Sequence, residues 1–100
     1  MLIGIISDTH DNIWRLDEAL SYLQDTDAVL HCGDLISPFI VHRLGKGLGN
    51  RPVHVVWGNN DGDKRALTQA AGQYSNIILH GDFAELTLDD VRIAINHYPE

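Results

Sequence analysis

A carboxylate and an imidazole stand two positions apart in Ser7-Asp8-Thr9-His10, directly after the apolar run Leu2-Ile3-Gly4-Ile5-Ile6. On an extended backbone that spacing puts both side chains on the same side. Aspartate oxygens and neutral imidazole nitrogens are common ligands for divalent transition metals. The same punctuation returns along the chain. Residues 28–32 form an apolar run that ends in Gly33-Asp34, and residues 53–57 end in Gly58-Asn59-Asn60-Asp61. Near the end, an alternating segment runs into His97. The chemistry that fits this set is divalent-metal binding, begun at one strand end and completed by later ones.

The elements that must deliver these residues are legible in the spacing. Ile13, Leu16, Leu20 and Leu23 recur at helical intervals with Ala19 on the same stripe, which predicts a helix over 12–24, with Asp11 or Asn12 as its N-cap. Residues 28–32 are almost continuously apolar, the pattern of a strand buried on both faces. A helix is expected over 36–44, opened by Ser37-Pro38 and stopped by Gly45, Gly47 and Gly49. Strands follow at 53–57 and 77–79, with a helix at 64–71 between them. Residues 83–88 and 91–96 flank Asp89-Asp90 at hairpin spacing. The order β-α-β-α-β-α-β and then a hairpin predicts an α/β fold: a parallel sheet extended by an antiparallel part. Ligands collect outside the carboxyl ends of strands in such sheets, so Asp8, His10, Asp34, Asn59 and His97 are all directed to one edge.

Composition narrows the function classes. The chain has 100 residues with 14 acidic and 7 basic side chains, a formal charge of −7, and no Lys/Arg cluster. An extended nucleic-acid surface needs such a cluster, so none is expected. The apolar runs fall far short of the ~20 residues that span a bilayer. Met1 leads straight into a strand without a basic leader, and one cysteine, Cys32, cannot form an intrachain disulfide. A cytoplasmic location and a single domain over 1–100 are expected. Asp, Asn and His are also ordinary turn and cap residues, and each alone is more often structural. Their ordered joint occurrence is what points to a metal. His31 and His54 read as core or neighbouring groups, His42 and His80 as residues without a direct role. Cys32 reads as a small buried hydrophobe, and Trp14 and Trp57 as packing.

Asp8-Thr9-His10, Gly33-Asp34, Gly58-Asn59-Asn60-Asp61 and His97 resemble the motifs of the calcineurin-like metallophosphoesterase family, closest to its small bacterial and archaeal phosphodiesterase-like branch. The resemblance implies a two-sheet α/β sandwich with a dinuclear metal centre at its edge, and a hydrolase acting on a small phosphoester. It implies that Asp8 and His10 bind the first ion, Asp34 bridges both, and Asn59 and His97 bind the second, with Asp61 orienting a ligand. Two ions ~3.5–4 Å apart can polarise a phosphoryl oxygen and hold a bridging hydroxide for in-line attack. Mn²⁺ is the expected ion; Ni²⁺, Co²⁺, Fe²⁺, Zn²⁺ and Mg²⁺ are also compatible.

Two departures from the family pattern stand out. Many members carry a histidine after the Gly-Asn pair, placed to protonate the leaving group, and here that position is Asn60. The loss of a general acid typically costs ~10²–10⁴ in rate, which favours diester-directed activity over a strong monoesterase. The family's G-H-x-H motif is absent up to Glu100, so the 100 residues read as the N-terminal portion of a longer chain. A different class of function is a metallophosphoesterase-like scaffold that binds proteins and hydrolyses little. A doubly wound nucleotide-binding domain fits less well, because an acidic turn stands where a glycine-rich phosphate loop belongs.

Overall fold

In the computed structural model, which describes residues 2–7, 13–34, 38–58 and 64–97, four apolar runs pair as one parallel sheet. They are β1 (Ile3–Ile6), β2 (Ala28–His31), β3 (Val53–Val55) and β4 (Ile77–Leu79), side by side in chain order. Each crossover carries a helix: α1 (Ile13–Tyr22), α2 (Pro38–Leu48) and α3 (Lys64–Ala71). A 3₁₀ turn, Leu23–Asp25, follows α1. The chain then forms an antiparallel hairpin from β5 (Phe83–Leu88) and β6 (Val91–Asn96). Asp89 and Asp90, both at positive φ, make its two-residue turn, the backbone that a tight hairpin demands.

Period-2 alternation sorts the parallel strands between two apolar layers. Val29, Val53, Val55 and Ile77 pack with Leu16 and Leu20 of α1, Ile40, Val41, Leu44 and Leu48 of α2, and Leu67 of α3. Leu30 and Val56 point the other way and pack with Ala84 and Ile95 of the hairpin. The order is therefore helices, parallel sheet, antiparallel hairpin. All three helices share one face and the strand order never reverses, which is not the arrangement of a doubly wound domain. β2 is buried along its whole length, as its unbroken apolar run implies.

Several details differ from the expectations: β2 and β3 end at His31 and Val55, short of residues 32 and 57, and Cys32 is only partly buried. α2 runs through Gly45 to Leu48 rather than stopping at residue 44. Gly45 is there for packing: a Cβ on it would lie 2.8 Å from Cδ2 of Tyr74, whose ring lies against the helix. The stop comes at Gly49, which takes φ 62 after the last turn. Trp14, read as packing, is instead 84% exposed on the outer side of α1.

Candidate functional site

The sheet register sets where the site must be. Ile6, His31, Val55 and Leu79, the last residues of the four strands, form one row across the sheet. The segments beyond them leave from a common edge. After β2 the chain turns at once: Gly33 takes φ 104 and Asp34 φ 63. Glycine tolerates that backbone, while aspartate is among the few other residues that visit it. The turn buries Asp34 to 2% exposure.

The strand ends are pressed together more tightly than side chains would allow. A Cβ on Gly33 would lie 2.6 Å from the backbone nitrogen of Gly58. One on Gly58 would lie 2.6 Å from the backbone nitrogen of Asp34 and would overlap its carboxylate. Gly33 and Gly58 are thus each required by the backbone of the other's turn, and Gly33-Asp34 packs directly against Gly58.

His97 reaches the same place from the other sheet. Ile95 is 2% exposed and anchors β6 against Leu30 and Val56, so the chain just past Asn96 arrives over the end of β2. The ring Nδ1 of His97 lies 2.7 Å from the carbonyl oxygen of Cys32. A carbonyl only accepts, so Nδ1 carries the proton and Nε2 is the lone-pair nitrogen of the neutral ring. That Nε2 stands 3.6 Å from Oδ2 of Asp34, with both side chains nearly buried. Nitrogen and oxygen bonds to a zinc-sized ion run about 2.0–2.2 Å, so two atoms at this separation can share one ion. A ligating histidine that donates its other N–H to a backbone carbonyl is also the usual orienting arrangement. The donor set fits a divalent cation.

Asp34 and His97, expected from widely separated stretches of sequence, are therefore brought together. Asp8, His10, Asn59, Asn60 and Asp61 lie outside the described residues. Among the described residues, no group of three or more His, Cys, Asp or Glu side chains converges to hold a metal.

Read in sequence as a core or neighbouring group, His31 is found to be both, whereas the contacts of Cys32 and of the paired histidines had no signal in sequence. His31 is wholly buried, and its Nδ1 accepts the Gly33 N–H at 3.0 Å. A lone polar residue inside an apolar run, two positions before Gly-Asp, was the available signal. The Cys32 carbonyl is backbone and leaves no signature in residue type. His54 and His80, which stand alone in sequence, stack with ring centres 5.1 Å apart and Nδ1 to Nε2 at 2.8 Å. Burial, and then the neighbouring His80, lower the pKa of His54. His42 Nδ1 lies 2.6 Å from the Tyr74 hydroxyl. Trp57 is partly buried against the helix-side core, with Lys64 Nζ 5.8 Å from its ring centre.

Known proteins are similar to this chain in sequence and fold. A model of the calcineurin-like phosphoesterase superfamily domain matches residues 1–100. Phosphodiesterase MJ0936 of Methanocaldococcus jannaschii is 31% identical over 99 residues, covering 97% of this chain and 58% of that protein. A probable metallophosphoesterase of Methanothermobacter thermautotrophicus is 44% identical over 64 residues, 61% of this chain and 36% of that protein. Among solved structures, a novel archaeal phosphodiesterase superposes with a TM-score of 0.87 at 32% identity, covering 96% of this chain and 58% of that one. Yfce, a phosphoesterase from E. coli, superposes with a TM-score of 0.73 at 16% identity, a likeness of fold alone. The chain spans 58% of the length of Phosphodiesterase MJ0936.

Proposed function

The chain belongs to the calcineurin-like phosphoesterase superfamily, and from that premise we propose that it carries the metal-binding part of a phosphodiesterase acting on a small phosphoester. The observation that carries this reading is the buried approach of His97 Nε2 to Asp34 Oδ2, 3.6 Å apart, across two separate sheets. No packing argument calls for an acid and an imidazole there, since each carries a desolvation cost that a cation between them would offset.

In this reading Asp8 and His10 hold one divalent ion, Asp34 serves two, and Asn59 and His97 hold the second, Mn²⁺ being the expected metal. Bound as a pair, such ions supply Lewis-acid polarisation of the phosphoryl oxygen and a hydroxide nucleophile at neutral pH. The protein's own residues supply the rest. Asp34 would contribute two oxygens from its buried turn, and the Cys32 carbonyl holds the His97 ring in one tautomer and one orientation. Asn60 can donate a hydrogen bond to a leaving oxygen but cannot protonate it, so good leaving groups and diesters are favoured. Asp61 orients a ligand. The bound cations also offset the chain's formal charge of −7, which would otherwise repel a phosphate. A cytoplasmic setting fits the single cysteine.

The test is to purify the chain with Mn²⁺, count bound ions, and assay bis-(p-nitrophenyl) phosphate against p-nitrophenyl phosphate. Two ions per chain, lost in part in Asp34→Asn, with the diester turned over faster, support the reading. A wild-type chain without bound ions, or hydrolysis unchanged by Asp34→Asn, overturns it. A binding-scaffold reading is favoured by the exposed aromatic rings of Trp14 and Tyr22 on α1. Partner capture that survives Asp34→Asn in a chain without hydrolysis would select it.

A further inference from the structure

His31 ends β2 and has no exposed surface, yet it is not one of the residues expected to touch a metal or a phosphate. Alternation along the strand places its ring on the same face as Val29, toward the helices. Its ladder partners Ile6 and Val55 pack in that same layer, so the ring is clamped between apolar neighbours. The backbone carbonyl of His31 accepts the Val56 N–H at 3.0 Å, and the Cys32 N–H reaches the Ile6 carbonyl at 2.9 Å. Gly33 is where the chain leaves this ladder, and its buried N–H is taken by the His31 ring, two residues back, at 3.0 Å.

That bond frees the next residues from the ladder. A buried N–H at a strand end needs an acceptor, and the nearest alternative is to continue the ladder in an extended conformation. An acceptor on the ring of His31 lets the chain satisfy Gly33 while taking φ 104 and then φ 63. This left-handed pair of residues is what folds Asp34 back over Gly58 and toward His97. Because Nδ1 accepts, the neutral His31 ring carries its proton on Nε2.

We infer that His31 is a positioning residue, whose Nδ1 holds the Gly33–Asp34 turn in the conformation that aims the Asp34 carboxylate at His97. The inference rests on the metal-centre reading for one of its two readouts only. Asparagine can place its oxygen near the position of Nδ1. Glutamine keeps polarity and bulk but moves its oxygen toward the position of Nε2, away from Gly33.

The experiment compares wild type, His31→Asn and His31→Gln by Mn²⁺ titration and by NMR of the metal-free chain. In wild type and His31→Asn, the Gly33 amide and the His97 Nδ1 proton are expected to be protected and similarly shifted. In His31→Gln both signals should lose protection, and Mn²⁺ should bind about 10–100-fold more weakly, the usual cost of removing a group that orients a ligand. If the two variants match each other in both readouts, the ring acts only as filler and the inference falls. If wild type binds no Mn²⁺, the metal-centre reading falls instead. The two NMR signals then decide His31's role alone, and their persistence in His31→Gln overturns it.

Discussion

Gly58 has no side chain because Asp34 occupies the space one would need. A methyl group there would overlap the carboxylate and lie 2.6 Å from the Asp34 nitrogen, so either the turn after β2 or the one after β3 must shift. On the proposed metal reading, Gly58→Ala is therefore expected to weaken Mn²⁺ binding at least ~10-fold while leaving the far-ultraviolet circular dichroism unchanged, since the displaced groups lie in turns rather than helices. Isothermal titration against Mn²⁺ reads the first effect. At residue 60 the expectation runs the other way. On the proposed reading, Asn60→His adds a proton donor beside the leaving group and should raise turnover of a monoester with a poor leaving group, toward the ~10²–10⁴-fold that general acids contribute. Steady-state rates on phenyl phosphate would show it, and an unchanged rate would mean that residue 60 does not face the leaving oxygen.

The helices divide sharply between a working face and an idle one. Leu44 of α2 has no exposed surface and sits in the layer shared with β2 and β3, so Leu44→Ala should cost about 2–5 kcal/mol by urea denaturation. Trp14, although larger, is 84% exposed, and Trp14→Ala should stay within about 0.5 kcal/mol. Size misleads here because an α-helix buries only a stripe, and Leu16 and Leu20, not Trp14, lie on it. Gly45 is a similar case. It reads as a breaker in sequence, yet it lies inside α2 because Tyr74 packs where its Cβ would be. Tertiary contact outweighs the helix propensity of one residue, which amounts to about 1 kcal/mol.

At the scale of the whole molecule, the sheet has a titratable seam between β3 and the turn beyond β4. His54 Nδ1 and His80 Nε2, 2.8 Å apart, can share one proton between them but cannot both carry one there. Burial and the His80 charge lower the His54 pKa, so the unfolded chain binds this proton more readily than the folded one. Stability from this source is complete above the ordinary value of 6.5 and declines as pH falls below it toward the lowered folded value. Urea midpoints at pH 7.5 and 5.5 should differ in that direction for wild type, and the difference should shrink in His54→Leu. An equal pH dependence in both chains would assign the effect to other groups. The seam is structurally consequential, because His80 N–H bonds the Val55 carbonyl at 2.9 Å and Trp57 N–H the Gly81 carbonyl at 2.7 Å, just before Gly58.

The sequence by itself determined the order of elements and the residues worth watching. Apolar period and turn residues are local properties, and each strand of the parallel sheet, the hairpin and α3 can be read from them. It also singled out Asp34 and His97 as candidates, because carboxylate, amide and imidazole groups follow successive strand ends in one ordered set. Only the tertiary structure decided which of these residues meet. The 3.6 Å approach of His97 to Asp34 depends on how the hairpin seats Ile95 against Leu30 and Val56, a contact between distant stretches with no local signature. The same holds for the Cys32 carbonyl beneath His97 and for the stacking of His54 on His80. Backbone acceptors and pairwise neighbours are set by the register of the sheet, and register is a property of the packed molecule rather than of any one segment.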